Sequence, residues 1–390
     1  MRAQIRKASL ILVCLTMLTQ VSAVPSRARV LSQQSAHLYQ VSTRDEKSGE
    51  KKIGFIDQSG KLVIGFDRLP RNTKAVGEFH EGRAVIYLEK EDGAPTSNMD
   101  YKAGYIDVTG KVIIAPRFDS ACDFSEGLAC VEREELRGFI NRDGEVVIKL
   151  EAEVMIGSNW YGTGFHEGLA VVSIKREMGF IDRSGKLVIK GYTSAASFSE
   201  GLAAVAIGLR QRAKYGFVNE KGEMVIAPRF DPILSHHNQI EYLSRFSEGL
   251  ASVKVGDLYG YINQKGDFVI PPRFHYAADF SEGLANVMTE NGEAGYIDRS
   301  GRLVIAPRLN YYKGGNFKEG LAPFAFETKS GTKWGYIDRT GRVIIEPRFD
   351  VAYEFVDGVA SVYELRNPNS PQESRFGYID KTGKYLWEPQ

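Results

Sequence analysis

The chain is poor in the residues that most often do chemistry. Its 390 residues include three cysteines, three tryptophans and six histidines. So few cysteines rule out a disulfide-dense scaffold and the paired-cysteine zinc motifs. No Gly-x-Ser-x-Gly, no phosphate-cradling glycine loop and no His-Glu-x-x-His occurs, which removes the common signatures of serine hydrolases, nucleotide sites and zinc peptidases. Charge of one sign is missing as well: 50 basic residues face 49 acidic ones, and no run of five like charges appears. A balanced surface of this kind argues against nucleic acid as a partner. No apolar stretch approaches the roughly 20 residues that a membrane-crossing helix needs.

The longest apolar run, from Ala8 to Leu18, sits behind Arg2, Arg6 and Lys7 and ahead of the small residues Val21-Ser22-Ala23. This pattern predicts a secretory signal peptide over residues 1–23. Its removal takes the net charge from +1 to −2 and leaves no membrane span. Residues 24–36 are polar and patternless and read as a flexible leader. The expected location is therefore outside the cytoplasm, periplasmic or extracellular.

What the chain has in abundance is repetition. Nine times it writes Gly-(Tyr/Phe)-(Ile/Val)-(Asp/Asn)-x-x-Gly followed by apolar residues, beginning at Gly54, Gly104, Gly138, Gly179, Gly216, Gly260, Gly295, Gly335 and Gly377. Between copies stands Phe-x-(Glu/Asp)-Gly-(Leu/Val/Arg)-Ala, at Phe79, Phe124, Phe165, Phe198, Phe246, Phe280, Phe317 and Phe355. Spacings of 34 to 50 residues mark an array in which single units cannot bury their own apolar faces. Residues 37–390 thus read as one domain of nine units.

Within a unit, apolar runs too short for helices and rich in Val, Ile and Tyr alternate with turn signals, which predicts strands. In residues 280–309 they fall at Leu284–Met288, about Ala294–Ile297 and Arg302–Ile305, with Arg-Phe-x-x-Ala as a candidate fourth. The Asp-x-x-Gly segments, with Asp57, Asp107, Asp182, Asp298, Asp338 and Asp380, read as type I turns whose Asx side chain bonds its own backbone. The Glu-Gly pair is expected at a second tight turn, its glutamate in solvent. The first glycine of each motif is expected where neighbouring units nestle, and the aromatic after it to form a buried ladder. Arg117, Arg229, Arg273, Arg308 and Arg348 follow a strand-closing proline and are expected to pair with the glutamate of the next unit, as Arg273 with Glu282. The fold class is all-β: tandem β-meander repeats of about 40 residues, as an open curved array or propeller-like, with the open array preferred.

The phrases Lys333-Trp334-Gly335-Tyr336-Ile337-Asp338-Arg339-Thr340-Gly341 and Phe280-Ser281-Glu282-Gly283-Leu284-Ala285 resemble the WG, or KWG, repeat of bacterial proteins. The resemblance runs from about Tyr39 to Gln390, although Trp334 alone supplies the tryptophan. It implies a β-rich scaffold common among surface and secreted proteins, with no recognised catalytic centre.

Contact residues are expected where the units vary, because loops carry function while strands must pack. The long insertions are Lys90–Lys102, Leu150–Gly164, Pro232–Arg245 and Arg366–Arg375. They offer Trp160, Tyr161, His236, His237 and Tyr242 as candidate binding residues. The paired histidines lack a spaced third metal ligand, and neither a metal nor a cofactor is expected. Cys122 and Cys130, placed about the Phe124-Ser125-Glu126-Gly127 turn, either form a disulfide or stand as two buried thiols. The function expected is an exported, non-catalytic scaffold that binds an envelope or surface protein, or a glycan. The alternative is a carbohydrate-active enzyme, a glycoside hydrolase on a propeller-like fold, betrayed by two non-recurrent carboxylates in one cleft.

Overall fold

A computed structural model describes residues 37–44, 49, 51–89, 101–151, 153–156, 164–175, 177–209, 212–234, 240–306, 311–329, 331–365 and 374–388. The segments assigned above to a signal peptide and a leader lie outside these residues. Strands make up the fold, and no helix among the described residues is long and apolar enough to cross a membrane.

The strands form nine successive antiparallel blades. Blade 2 shows the full pattern: β4 (Thr73–Val76), β5 (Arg83–Glu89), β6 (Tyr101–Asp107) and β7 (Val112–Phe118), paired in that order. In the sequence these are the short segment before the Phe phrase, the strand after it, the Gly-aromatic strand and the apolar strand after Asp-x-x-Gly. Blades 3, 5, 7, 8 and 9 repeat the order over residues 120–149, 194–230, 276–305, 311–349 and 351–387. Blade 4 adds a fifth short strand, and blade 6 splits into a two-stranded hairpin and a three-stranded sheet. Blade 1 shows three strands among the described residues: β1 (Tyr39–Arg44), β2 (Lys51–Ile56) and β3 (Leu62–Ile64).

The blades close into a ring, and the preference for an open array is corrected. Tyr39, Val41 and Ile56 of blade 1 share one buried cluster with Val359 and Tyr378 of blade 9. The Tyr378 hydroxyl donates to the Gln40 carbonyl at 3.0 Å, and Phe66 faces Trp387 at 6.0 Å. Among the described strands none is exchanged in closing: those of blade 9 come from the last repeat and those of blade 1 from the first. Each of the other hydrophobic clusters likewise joins two neighbouring blades, as where Leu284, Tyr296 and Ile305 of blade 7 meet Phe317 and Phe324 of blade 8. A single blade therefore has no core of its own, and ring closure buries the last free face.

The turns explain the letters. In each Asp-x-x-Gly turn the aspartate accepts locally; Asp338 takes the Thr340 hydroxyl at 2.6 Å and the amides of Thr340 and Arg342. The turn glycine, at φ +81 for Gly341, presses on Ile305 of the preceding blade, 2.8 Å from where a Cβ would sit. This is the glycine that nestles between units. The one opening the motif packs inside its own blade, where a Cβ on Gly260 would meet the Ile270 carbonyl at 2.5 Å beside a register shift.

Candidate functional site

Every junction from blade 2 to blade 9 is fastened by the same parts. The Phe of the Phe phrase packs on the ladder aromatic of the preceding blade, edge-on or tilted, as Phe317 meets Tyr296 edge-on at 4.9 Å and Phe355 meets Tyr336 tilted at 4.9 Å. Where that aromatic is a tyrosine its hydroxyl also donates across the junction: Tyr105 to Cys122, Tyr261 to Ala278, Tyr296 to Gly315 and Tyr336 to Tyr353, all to carbonyls. The ladder is core, as expected, with a polar link added.

The repeated glutamate is not left in solvent. Glu81, Glu126, Glu167, Glu200, Glu248, Glu282 and Glu319 stand at positive φ, followed by a glycine also at positive φ. This two-residue turn aims each carboxylate at the next blade, where it accepts the backbone amide of Gly127, Gly168, Gly201, Gly249, Gly283, Gly320 or Gly358. Arg142, Arg183 and Lys381 add charge to Glu81, Glu126 and Glu319. Arg308 lies outside the described residues, and the rest of the arginine row goes elsewhere. Arg117, Arg229, Arg273 and Arg348 donate to the carbonyls of Gly144, Gly266, Gly301 and Gly383. Each guanidinium lies over the ring next to it in sequence, at 5.0 Å for Arg273 and Phe274, so the expected Arg273–Glu282 pair does not form.

The pattern lapses between blades 9 and 1. Blade 1 has no Phe phrase ahead of Leu38, and β1 corresponds to the second strand of the other blades: Gln40 faces Phe55 as Asn286 faces Tyr296. Among the described residues no first strand pairs with β1, and a cavity of about 890 Å3 lies along it. It runs along the six residues His37–Ser42 and reaches Glu78, Gly314, Gly315, Tyr353, Glu354, Ser361 and Tyr363. Because blades 1, 2, 8 and 9 all contribute, the segments after the first strands converge at the middle of the ring. The described cavity wall carries a continuous run of rings, His37–Tyr39–Tyr378–Phe376–Tyr363–Tyr353, with neighbouring centroids 4.7 to 6.0 Å apart. Tyr39 donates to the Val356 carbonyl. Burial, then the charges of Asp357 and Glu319, push the Tyr39 phenol up, and burial with Glu78 does the same for Tyr378. Both phenols are therefore fixed donors.

Carboxylates also stand at the position before the Phe in four blades, as Glu78, Asp123, Asp279 and Glu354. Burial raises Asp123, opposed by His80 at 3.4 Å and reinforced by Glu78. Burial raises Asp279 too, against its bond from Arg245 at 2.9 Å. The turn aspartates move the other way: the Ser59, Ser184, Ser300 and Thr340 hydroxyls hold Asp57, Asp182, Asp298 and Asp338 below the usual range. They remain ionised acceptors within their turns and are poor proton donors.

Trp160, Tyr161, His236 and His237 lie outside the described residues. Tyr242 is in a short strand (Ile240–Tyr242) of blade 6, and its side chain is also outside them. Cys122 and Cys130 lie with Cα atoms 5.2 Å apart and their sulfurs within bonding distance, inside the span a disulfide requires. No group of three or more potential metal ligands occurs among the described residues. The cavity was not anticipated, although the sequence held the clue: nine Gly-aromatic motifs are accompanied by only eight Phe phrases.

The family model of the WG containing repeat matches residues 104–136, 178–208, 215–234, 239–259, 259–292, 295–326 and 334–364. No curated protein matches the sequence. Among solved structures, BamB from Moraxella catarrhalis is similar over 83% of this chain and 96% of its own, at 9% identity and a TM-score of 0.43. Hsv2 from Kluyveromyces lactis is similar over 55% of this chain and 70% of its own, at 10% identity and a TM-score of 0.36. Both scores fall below 0.5, so neither likeness bears on function.

Proposed function

Since the chain belongs to the WG containing repeat family and forms a nine-bladed repeat scaffold, we propose that it is an exported, non-catalytic binding protein that holds another envelope or surface protein. One observation carries this reading. The repeated carboxylates are committed to turns and blade junctions, whereas a cavity large enough for a ligand opens where the repeat lapses. Cavities of this size with an aromatic wall and a few polar groups are the usual form of a binding site. Export rests on residues 1–23 and their signal-peptide pattern, and the balanced charge speaks against nucleic acid.

The test is crosslinking of the full chain to the isolated envelope of its own cell, with contacts identified by mass spectrometry. Crosslinks from residues of the blade 1 and blade 9 wall to one protein are expected. Clean recovery of uncrosslinked chain would sink the protein-binding reading and bring glycan binding forward.

A glycoside hydrolase is the second reading, favoured by Asp123, a carboxyl outside the turns that burial raises, with Glu78 adding to the effect. Release of reducing sugar from envelope glycan, lost in Asp123→Asn, would establish it.

A further inference from the structure

We propose that the edge of β1 left unpaired among the described strands takes up an extended peptide as a first strand of blade 1. This rests on the protein-binding reading above and names its site and its ligand chemistry.

The protein itself shows what fits. In blade 7 the first strand pairs Ala277 with Val287, and the amide of Ala278 donates to the Asn286 carbonyl at 2.9 Å. The same bond is made by Gly77 to Val85, Cys122 to Cys130, Ala196 to Ala204, Gly315 to Pro323 and Tyr353 to Ser361. In register, Gln40 stands where Asn286 stands and Val41 where Val287 stands. Yet β1 pairs with β2 alone among the described strands. Hydrogen bonding alternates along a strand, so Tyr39, Val41 and Thr43 turn their backbone groups to β2 while Gln40 and Ser42 turn theirs to the open side. The Gln40 carbonyl confirms this direction by accepting Tyr378 from that side. The cavity follows this edge through six consecutive residues.

An unpaired edge beside a ligand-sized cavity is the arrangement that strand addition uses, with main-chain bonds for affinity and pockets for alternate side chains. The filled slots also specify the sequence. Alanine faces valine in four of them, Ala121 to Val131, Ala195 to Val205, Ala277 to Val287 and Ala352 to Val362. A small residue is therefore expected opposite Val41. Beyond it the peptide passes Glu78 and Glu354 on the cavity wall, which favours a lysine or arginine. The occupant assigned is thus an extended segment of a partner protein, with a small residue followed closely by a basic one.

The probe is a labelled synthetic peptide copying residues 348–353 and ending in lysine, titrated into the full chain. Saturable binding is expected. Ser42→Pro removes one edge amide without touching the β1–β2 bonds, and proline is tolerated on an edge. It should weaken binding roughly ten-fold, the worth of one hydrogen bond, with an unchanged denaturant midpoint. Glu78→Gln should weaken the lysine-ended peptide and leave an alanine-ended one unchanged. Absence of saturable binding, equal binding by Ser42→Pro, or displacement of the peptide only by oligosaccharide would overturn the proposal. Envelope crosslinks through another face, with no peptide bound here, would overturn it while leaving the proposed function standing.

Discussion

The junction between blades 7 and 8 and the junction between blades 9 and 1 do the same job with different parts. At the first, Phe317 packs on Tyr296, the Tyr296 hydroxyl reaches Gly315, the Ser281 hydroxyl reaches Phe317, and Glu282 takes the Gly320 amide. At the second, Tyr39 replaces the phenylalanine at 5.3 Å from Tyr378, whose hydroxyl turns to Gln40. Asp357 stands in the glutamate's place, and among the described residues blade 1 offers it no first-strand turn. Among the described residues the ring closes without a Phe-phrase turn on blade 1, so the residues at its closing junction depart from the repeat and are able to specialise.

The largest expected effect lies at an internal junction. Phe317 is fully buried, and Phe317→Ala should lower stability by about 3–5 kcal/mol, seen in denaturant unfolding as a lost midpoint and as faster amide exchange in blades 7 and 8. An unchanged midpoint would mean that the repeated junctions are not what holds the ring.

Blade 3 sharpens the contrast, because Cys130 occupies the position of Gln40 and its partner Cys122 tethers the first strand into the slot that blade 1 leaves open. Alkylation before and after reduction should reveal one disulfide between them. Closing so short a loop is worth about 2 kcal/mol, so Cys122→Ser should cost that much under oxidising conditions and far less under reducing ones.

A smaller effect separates the two glutamate positions. Glu282→Gln replaces a charged acceptor of the Gly320 amide and should cost about 1 kcal/mol, whereas Asp357→Asn should stay within about 0.5 kcal/mol. Equal costs would remove this distinction between the junctions.

The smallest change is expected in the turns, which are alike all around the ring. Asp338 is held low chiefly by the Thr340 hydroxyl, then by backbone amides. A depressed carboxyl adds stability above its unfolded value of about 3.9 and loses it as pH falls through the folded one. Asn141, Asn219 and Asn263 build the same turn without titrating. Asp338→Asn should therefore match the parent at pH 7 and lose less stability between pH 4 and pH 2, measured by denaturant midpoints.

Much of this was legible in the sequence because it is local. Strand, turn and strand follow from Leu284–Met288, Asp298 and Gly301 within one unit, and the aspartates are the turn formers their spacing suggested. Partners across a junction were less legible. Glu282 looks like a solvated turn residue until a left-handed backbone aims it at Gly320, and Arg273 finds a carbonyl because the facing glycine turn lies nearer than any carboxylate. Closure depended on how nine small rotations add, which no single unit encodes. The named contact candidates came from insertions, whereas the described cavity comes from an omission: the Phe phrase absent before Leu38.

The most direct test is amide-resolved hydrogen exchange of the full chain, comparing Gln40 and Ser42 with Asn286 and Met288. An open edge predicts fast exchange at Gln40 and Ser42, slow exchange at Asn286 and Met288, and protection of the first pair when the probe peptide is added. Equal, slow exchange at all four amides without peptide would show the blade 1 slot already filled and contradict the account.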